Sequence, residues 1–199
     1  MAATLVNTLS DRKEEILEAA RALFSEMGYV PASMSKIADS LNVKAGSLYS
    51  SFKSKEVMLW EIALRCAQAF FDKVAPVAES KLAPAEKLEK MLEAHLEVII
   101  ANQDASAIFF EEWKHLEEPH LEEFGQLRDQ YEQMFMNVVT EGMDAGQLKT
   151  IPKRFLINTL LASANWISRW YKAEGEMNID QIKSSLIKLF FEGLKTEHE

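Results

Sequence analysis

Apolar residues recur at a spacing near 3.6 residues through almost the whole of this 199-residue chain. No run of alternating apolar and polar residues with β-branched enrichment interrupts the pattern. Because a strand would need a period of two, the pattern predicts an all-α fold. The periodic segments predict about nine helices, at residues 11–27, 34–41, 45–51, 54–80, 84–102, 105–116, 119–144, 152–173 and 179–196.

The composition is that of a globular chain with a real core, at 48% hydrophobic and 27% charged residues. No segment approaches the roughly 20 uninterrupted apolar residues of a membrane span, and the first residues lack the basic start of a signal peptide. Cys66 is the single cysteine, so no internal disulfide and no CxxC metal site are possible. We expect a soluble, cytoplasmic protein with no membrane partner, metal or cofactor.

The net charge of −9 argues at first against a nucleic-acid partner, since phosphate neutralisation needs lysine and arginine. The charge is unevenly distributed along the chain. Residues 1–55 hold seven basic and six acidic residues, whereas the remainder holds 15 basic and 25 acidic residues. The acidity therefore belongs to the C-terminal part, and the lysines before residue 56 are expected to give the N-terminal part a surface suited to DNA.

Two short predicted helices, 34–41 and 45–51, follow a longer one and are joined by a three-residue turn. Helices this short must pack on the first, and such a three-helix arrangement is typical of helix-turn-helix DNA-binding units. The second short helix would present small and hydroxylated side chains to a major groove, with lysines beside it for the phosphates. The predicted DNA-binding residues are Ser33, Lys36, Lys44, Ala45, Gly46, Ser47, Tyr49, Ser50, Lys53 and Lys55.

In this region the sequence resembles the TetR family of bacterial transcriptional repressors. The residues that carry the resemblance are Phe24, Gly28, Ile37, Ala38, Val43, Gly46, Leu48, Tyr49, Phe52, Lys55 and Glu56. The resemblance implies that Tyr49, Lys55 and the capping hydroxyl of Ser33 contact DNA phosphates. It also implies a double-stranded operator as the partner.

Two positions depart from the common family pattern. Lys44 and Ala45 stand where Ser/Thr-Lys is frequent, and Ser50 stands where histidine is frequent. Because the resemblance places these positions against DNA, the departures leave the operator sequence undetermined but do not change the predicted fold. We expect a helix-turn-helix DNA-binding domain at residues 1–55 and a helical ligand-binding and dimerisation domain at residues 56–199.

Aromatic and methionine side chains fall on the inward faces of several C-terminal helices. They are expected either to line an apolar cavity for a small molecule or to fill the core, and core packing is the commoner outcome for any one of them. The predicted ligand-binding residues are Phe70, Phe71, Met91, Phe109, Phe110, Trp113, Arg128, Tyr131, Met134, Phe135, Trp166, Arg169 and Trp170.

A second, looser resemblance covers residues 108–194. The stretches FFEEWKHL, LRDQYEQMF and ANWISRWYKAEGEMNIDQI are similar to TetR-family regulators of fatty-acid or steroid catabolism that respond to acyl-coenzyme A thioesters. Such a ligand would need an apolar slot for its acyl part and cations for its phosphates, for which Lys114, Arg128, Arg169 and Lys172 are candidates. Arg128 is expected to make either a buried polar contact or a salt bridge to Glu111, Glu112 or Asp129.

The predicted helix 152–173 is apolar almost all round, and the last helix is similar. Two such helices from each chain are expected to form the four-helix interface of a homodimer. That arrangement would set the two recognition helices about one DNA turn apart, as a pseudo-palindromic operator requires.

Rival interpretations have less support. Two ExxH pairs, Glu112 with His115 and Glu117 with His120, lie too close in sequence for a di-metal site, and Pro119 interrupts the second. His95, on an apolar stripe, is expected to be a hydrogen-bonded core residue, and no catalytic pairing stands out.

We therefore expect a ligand-responsive repressor rather than an enzyme, with an acyl-CoA thioester as the preferred effector. The alternatives are a drug- or aromatic-sensing regulator of the same type and an all-α acyl-CoA-binding enzyme or carrier.

Overall fold

The computed structural model describes residues 2–172 and 174–194. In this part the chain consists of helices joined by turns, which confirms the all-α prediction. A 3-10 helix spans Trp113–His115. The helices are α1 (Ala2–Met27), α2 (Met34–Ser40), α3 (Ala45–Leu48), α4 (Lys55–Ala78), α5 (Pro84–Ala101), α6 (Gln103–Glu111), α7 (His120–Asp144), α8 (Lys153–Asn165), α9 (Ile167–Trp170) and α10 (Ile179–Leu194).

The first three helices form the predicted helix-turn-helix unit. Gly28 ends α1 with a φ of +83°, a left-handed conformation that favours glycine. Ser33 caps α2, because its hydroxyl accepts a hydrogen bond from the backbone N–H of Lys36 at 3.3 Å. Burial of apolar side chains holds the three helices together. The buried set includes Ile16, Ala20, Phe24, Ile37, Ala38, Leu48 and Phe52.

Helix α4 joins the N-terminal core to the C-terminal core. Ser54 caps its first turn by accepting from the backbone N–H of Val57. Met58 and Leu59, near its start, pack in the core around α1 to α3, whereas Phe70 and Val74 pack in the core formed with α5, α7, α8 and α10. One helix therefore belongs to both cores, so that a movement of its axis would change the packing in both.

The N-terminal core is completed by residues that follow α5. Ile108, Leu116 and Phe124 are buried in the same apolar cluster as Phe24 and Phe52. The two predicted domains therefore pack directly on each other, with α6 and the start of α7 against the helix-turn-helix unit.

Several helix ends differ from the predictions. Helix α1 begins at Ala2 rather than residue 11, and α6 begins at Gln103 and gives way to the 3-10 helix after Glu111. Helix α3 ends at Leu48 rather than residue 51, and the chain continues through a turn in which the backbone N–H groups of Ser51 and Phe52 both donate to the Leu48 carbonyl. The predicted ends of the last two helices, at residues 173 and 196, lie outside the described residues.

The predicted helix 152–173 is divided into α8 and α9 at Trp166. The side-chain amide of Gln103 donates hydrogen bonds to the carbonyls of Ser168 and Tyr171, at 3.0 and 2.8 Å. This contact from α6 satisfies two carbonyls at the C-terminal end of α9, where no further helical turn follows. The end of α9 is therefore held by a contact from α6 that the local sequence does not contain.

Candidate functional site

The predicted DNA-binding residues gather on one end of the molecule, at α2, α3 and the turn after α3. Tyr49 is 55% exposed although it is aromatic, and a Cβ added to Gly46 would meet no atom within 4 Å. Ala45 and Lys55 are half-buried. The exposed members of the predicted set are Ser33, Lys36, Lys44, Gly46, Ser47, Tyr49, Ser50 and Lys53.

Local hydrogen bonds fix the backbone around α3. The hydroxyl of Ser47 donates to the carbonyl of Lys44, and that of Ser50 donates to the carbonyl of Ser47, each at 2.7 Å. These bonds leave each hydroxyl oxygen able to accept from another group. The exposed face of α3 thus combines small side chains, hydroxyls and flanking lysines, which suit base edges and phosphates.

Lys55 is held within the protein rather than presented with the exposed lysines. Its ammonium group donates to the carbonyl of Tyr29 at 2.6 Å and lies 4.0 Å from the centre of the Tyr29 ring. Burial lowers the pKa of Lys55, while the charge of Glu112 acts in the opposite direction. Lys55 therefore links the start of α4 to the turn after α1. Its ammonium group would have to leave these contacts to reach a DNA phosphate, as predicted.

A cavity of about 500 Å³ lies in the C-terminal part, enclosed by α4, α5, α6, α7 and α8. Its volume is in the range of small-molecule sites. Nine of the thirteen predicted ligand-binding residues line it. They are Phe70, Phe71, Phe109, Phe110, Trp113, Arg128, Tyr131, Trp166 and Arg169.

The other four predicted ligand-binding residues do not line the cavity. Met91 and Phe135 are fully buried in the C-terminal core, and Met134 packs against that core. Trp170 is exposed outside the cavity. The helical faces of Met91 and Phe135 are inward, as predicted, but inward faces serve the core as well as the cavity.

The aromatic walls are centred on Phe70. Its ring lies 4.7 Å from the His95 ring and 5.8 Å from those of Phe109 and Phe110, measured between centroids. On the side of the cavity towards the N-terminal core, Trp113 stacks on Phe124 at 5.9 Å.

Polar groups are paired inside this apolar wall. His95 is buried, with Nδ1 lying 2.8 Å from the Tyr131 hydroxyl and Nε2 lying 2.8 Å from Oδ1 of Asn165. The expected core histidine is thus hydrogen-bonded and also lines the cavity. Burial lowers the pKa of His95 to about 4, against a partial rise from the Asn165 bond. His95 is therefore a neutral polar group at physiological pH.

The mouth of the cavity carries both signs of charge. Arg169 is paired with Glu111, and Glu132 also lines the cavity. Arg128 is exposed, and its guanidinium carbon lies 5.4 Å from the centre of the Trp113 ring. This contact corrects both expectations for Arg128, because its partner is an aromatic face rather than a buried polar group or one of the carboxylates of Glu111, Glu112 and Asp129. Lys114 and Lys172, the other expected cations, are exposed and do not line the cavity.

Besides His95, sequence reasoning missed five polar residues of the cavity lining. Asn158 and Asn165 project from α8, Ser168 lies on α9, and the carboxylates of Glu111 and Glu132 complete the set. A signal was present in α8, where Asn158 and Asn165 lie seven residues apart and therefore on one face of the helix. Among the described residues, no group of three or more side chains could hold a metal ion, and no described helix has the length and hydropathy to cross a bilayer.

Two family models match the chain. One, described as bacterial regulatory proteins of the tetR family, matches residues 16–62. The other, described as tetracyclin repressor-like, C-terminal domain, matches residues 81–194. Among curated proteins, the HTH-type transcriptional repressor KstR2 of Rhodococcus jostii (strain RHA1) is 29% identical over 191 residues, covering 95% of this chain and 94% of the relative.

Two solved structures share the fold over most of their length. The ketosteroid transcriptional regulator KstR2 of Mycobacterium tuberculosis superposes with a TM-score of 0.87 at 24% identity, covering 94% of this chain and 96% of that one. AibR in complex with isovaleryl coenzyme A and operator DNA superposes with a TM-score of 0.83 at 20% identity, covering 90% of this chain and 98% of that one.

Proposed function

Because the chain belongs to the TetR family of bacterial regulatory proteins, we propose that it is a ligand-responsive transcriptional repressor. It binds a pseudo-palindromic operator as a homodimer in the cytoplasm and is released by a hydrophobic effector. The preferred effector class is an acyl-CoA thioester. Residues 1–55 form the DNA-binding domain and residues 56–199 the ligand-binding and dimerisation domain.

The observation that carries the effector proposal is the aromatic cavity with its paired polar wall. A volume of about 500 Å³ accommodates an acyl group, while the nucleotide part of coenzyme A would stay at the mouth beside Arg128 and Arg169. The side-chain N–H groups of Asn165, whose Oδ1 is bonded to His95, can donate to an uncharged acceptor such as a thioester carbonyl. AibR bound to isovaleryl coenzyme A, which shares the fold, supports the same class.

An exposed apolar stripe on α8 supports the homodimer. Phe155, Ala162 and Trp166 recur at a spacing that places them on one face, and Phe155 and Trp166 are each 65% exposed. Leu189 on α10 is 74% exposed. Large side chains in such a stripe are typical of a surface covered in an oligomer.

The test begins with operator capture. Fragmented genomic DNA from the source organism is selected on the immobilised protein, and the dissociation constant of a selected duplex is measured at increasing salt. We expect affinity to fall steeply and linearly on a logarithmic salt scale, because phosphate contacts release counterions. Absence of salt-sensitive DNA binding would exclude the repressor function, and acyl-CoA binding without DNA binding would favour a carrier or enzyme.

Variants of the exposed face sharpen the test. Lys53→Ala should weaken operator binding and reduce the salt slope by about one phosphate contact. Lys81→Ala is the matched control, since this exposed lysine follows the far end of α4, about 36 Å along the helix from Lys55. If Lys53→Ala binds the operator as tightly as the control, Lys53 does not contact the operator.

Effector release is measured on the same duplex with acyl-CoAs of increasing chain length, with coenzyme A and free fatty acids as controls. We expect release by one range of acyl lengths and none by coenzyme A alone. Failure of every thioester to bind would exclude this effector class.

A drug- or aromatic-sensing regulator is the second candidate. The observation that favours it is the balance of charge at the cavity, where Glu111 already pairs with Arg169 and Glu132 adds a second carboxylate. A cationic or neutral aromatic compound would suit these carboxylates and the ring-lined walls. Operator release by such compounds, but not by thioesters, would decide for this candidate.

A further inference from the structure

The segment that joins α6 to α7, residues 112–120, lies between the cavity and the helix-turn-helix unit. We call it the connector. On the cavity side, Trp113 lines the wall and stacks on Phe124, with an angle of 6° between the ring planes. Leu116 of the connector is buried in the N-terminal core. The same nine residues therefore contact both functional parts.

Glu112 makes the first contact with the helix-turn-helix unit. One carboxylate oxygen accepts a hydrogen bond from the backbone N–H of Tyr29 at 3.3 Å, and it lies 3.5 Å from the place where a Cβ on Gly28 would be. The other oxygen lies 3.4 Å from Nε2 of His115, whose ring stacks on Tyr29 at 5.1 Å. The turn between α1 and α2 is thus held by a side chain adjacent in sequence to the cavity-lining Trp113.

His120 makes the second contact, with the first turns of α4. Its Nδ1–H donates to a carboxylate oxygen of Glu56 at 2.9 Å, and the backbone N–H of Glu117 donates to the same oxygen at 3.3 Å. The His120 ring also stacks on Trp60, with centroids 5.0 Å apart. Glu56 is largely shielded from solvent, so the contact is well defined.

The two contacts meet at Tyr29 and Lys55. Lys55, at the start of α4, donates to the Tyr29 carbonyl and lies over the Tyr29 ring. Burial raises the pKa of Tyr29 to about 12, with further contributions from Glu56, Glu117 and Glu112, so that the phenol stays neutral beside three carboxylates. Lys55 therefore joins the turn after α1 to the start of α4. The connector contacts the turn through Glu112 and the start of α4 through His120.

We propose that the connector, through Glu112 and His120, transmits occupancy of the cavity to the orientation of the helix-turn-helix unit. This inference rests on the proposed function and specifies its coupling route. A ligand that displaces Trp113 moves the adjacent Glu112, and with it the Tyr29 backbone. One rival route runs along α4, which also lines the cavity through Phe70 and Phe71. Another runs through α6, whose Asp104 accepts a hydrogen bond from the Ser25 hydroxyl of α1 at 2.9 Å.

The test uses decanoyl-CoA as the probe. Operator affinity is measured with and without saturating probe in the wild type and in the variants Glu112→Ala and His120→Ala. We expect the probe to weaken operator binding about tenfold or more in the wild type. In both variants this ratio should fall to within about twofold of one, while the separate affinities for operator and probe stay within about threefold.

Two further variants separate coupling from general destabilisation. Glu112→Gln keeps an oxygen that can accept from Tyr29 and should restore most of the ratio. Glu123→Gln changes an exposed carboxylate in the first turn of α7 and should keep the wild-type ratio. A wild-type ratio in Glu112→Ala and His120→Ala would overturn the proposal and favour coupling through α4 or α6.

Hydrogen exchange of the free protein tests the connector without an effector. Trp113→Leu should raise exchange of the peptide spanning residues 28–34, and Phe71→Leu, a change on the α4 wall, should not. In the double variant with Glu112→Ala, Trp113→Leu should add nothing further. If the effects of Trp113→Leu and Glu112→Ala on exchange add, the proposed role of the connector is wrong. If they do not add and decanoyl-CoA fails to release the operator, only the proposed effector is contradicted.

Discussion

His95 shows how a single buried side chain sets the character of the cavity. Burial raises the pKa of the Tyr131 hydroxyl, so the phenol remains protonated and donates to Nδ1 of His95. The other ring nitrogen then carries the proton and donates to Oδ1 of Asn165. The imidazole is thereby fixed in one tautomer, and the wall it contributes is polar but uncharged.

This burial predicts a pH dependence of stability. The pKa of His95 falls from 6.5 to about 4 on folding. Between these values the unfolded chain binds a proton that the folded chain does not, so the free energy of unfolding decreases as pH falls from 6.5 to 4 and is unaffected by His95 above that range. The loss from this group is at most about 3 kcal/mol.

Urea unfolding of the wild type and of His95→Phe, measured between pH 4 and 8, checks this prediction. The variant should be less stable at pH 8, because Tyr131 and Asn165 lose their partner. The difference between the two proteins should shrink as pH falls through 6.5 towards 4. A constant difference over that range would show that His95 does not carry the shift.

Individual site residues differ in how far the sequence could predict them. The exposed residues of α3 follow from a local pattern, because recognition helix, turn and caps occupy consecutive positions. The pairing of His95 with Asn165 joins α5 to α8 across 70 positions. Helical periodicity indicates that both residues face inward but not that they meet, since the relative rotation of two packed helices depends on every side chain between them.

At the scale of elements, nine helical segments could be predicted from the sequence, whereas the division between α8 and α9 and several helix ends could not. The period of 3.6 residues persists through every helix, because each buries one stripe. The ends depend on contacts from elsewhere in the chain. Gln103 of α6 bonds to the Ser168 and Tyr171 carbonyls at the end of α9, and α3 stops at Leu48, before the buried Phe52.

The cap of α4 offers a test at this scale. Ser54→Ala removes the hydroxyl that accepts from the Val57 N–H and should lower the free energy of unfolding by about 1 kcal/mol. Ser54→Thr keeps the acceptor and should recover most of the loss. Ser35→Ala, at an exposed position inside α2, is the control and should change stability by less than about 0.5 kcal/mol. Chemical denaturation that finds equal effects for Ser54→Ala and Ser35→Ala would show that the cap contributes nothing.

At the scale of the whole molecule, the acidic surface has to be kept apart from the surface proposed to bind DNA. The chain carries a net charge of −9, which resists approach to DNA. The acidic C-terminal part can nevertheless deliver two helix-turn-helix units to one duplex if it associates through an uncharged surface. The exposed stripe on α8, with Phe155 and Ala162, provides such a surface.

The proposed homodimer predicts a linked loss of assembly and DNA binding. Phe155→Glu places a charge in the stripe, and in an isologous interface the same charge appears on both chains. We expect the wild type to have twice the chain mass of 22.6 kDa by light scattering, and we expect the variant to dissociate at concentrations at least about 100-fold higher, since an unpaired charge would be buried in each chain. Operator affinity should fall with it, because a monomer reads only one half-site.

Leu64→Glu, at an exposed apolar position on α4, is the matched control and should leave mass and affinity unchanged. A dimeric Phe155→Glu variant would place the interface elsewhere, and a monomeric wild type that binds the operator tightly would contradict the homodimer itself.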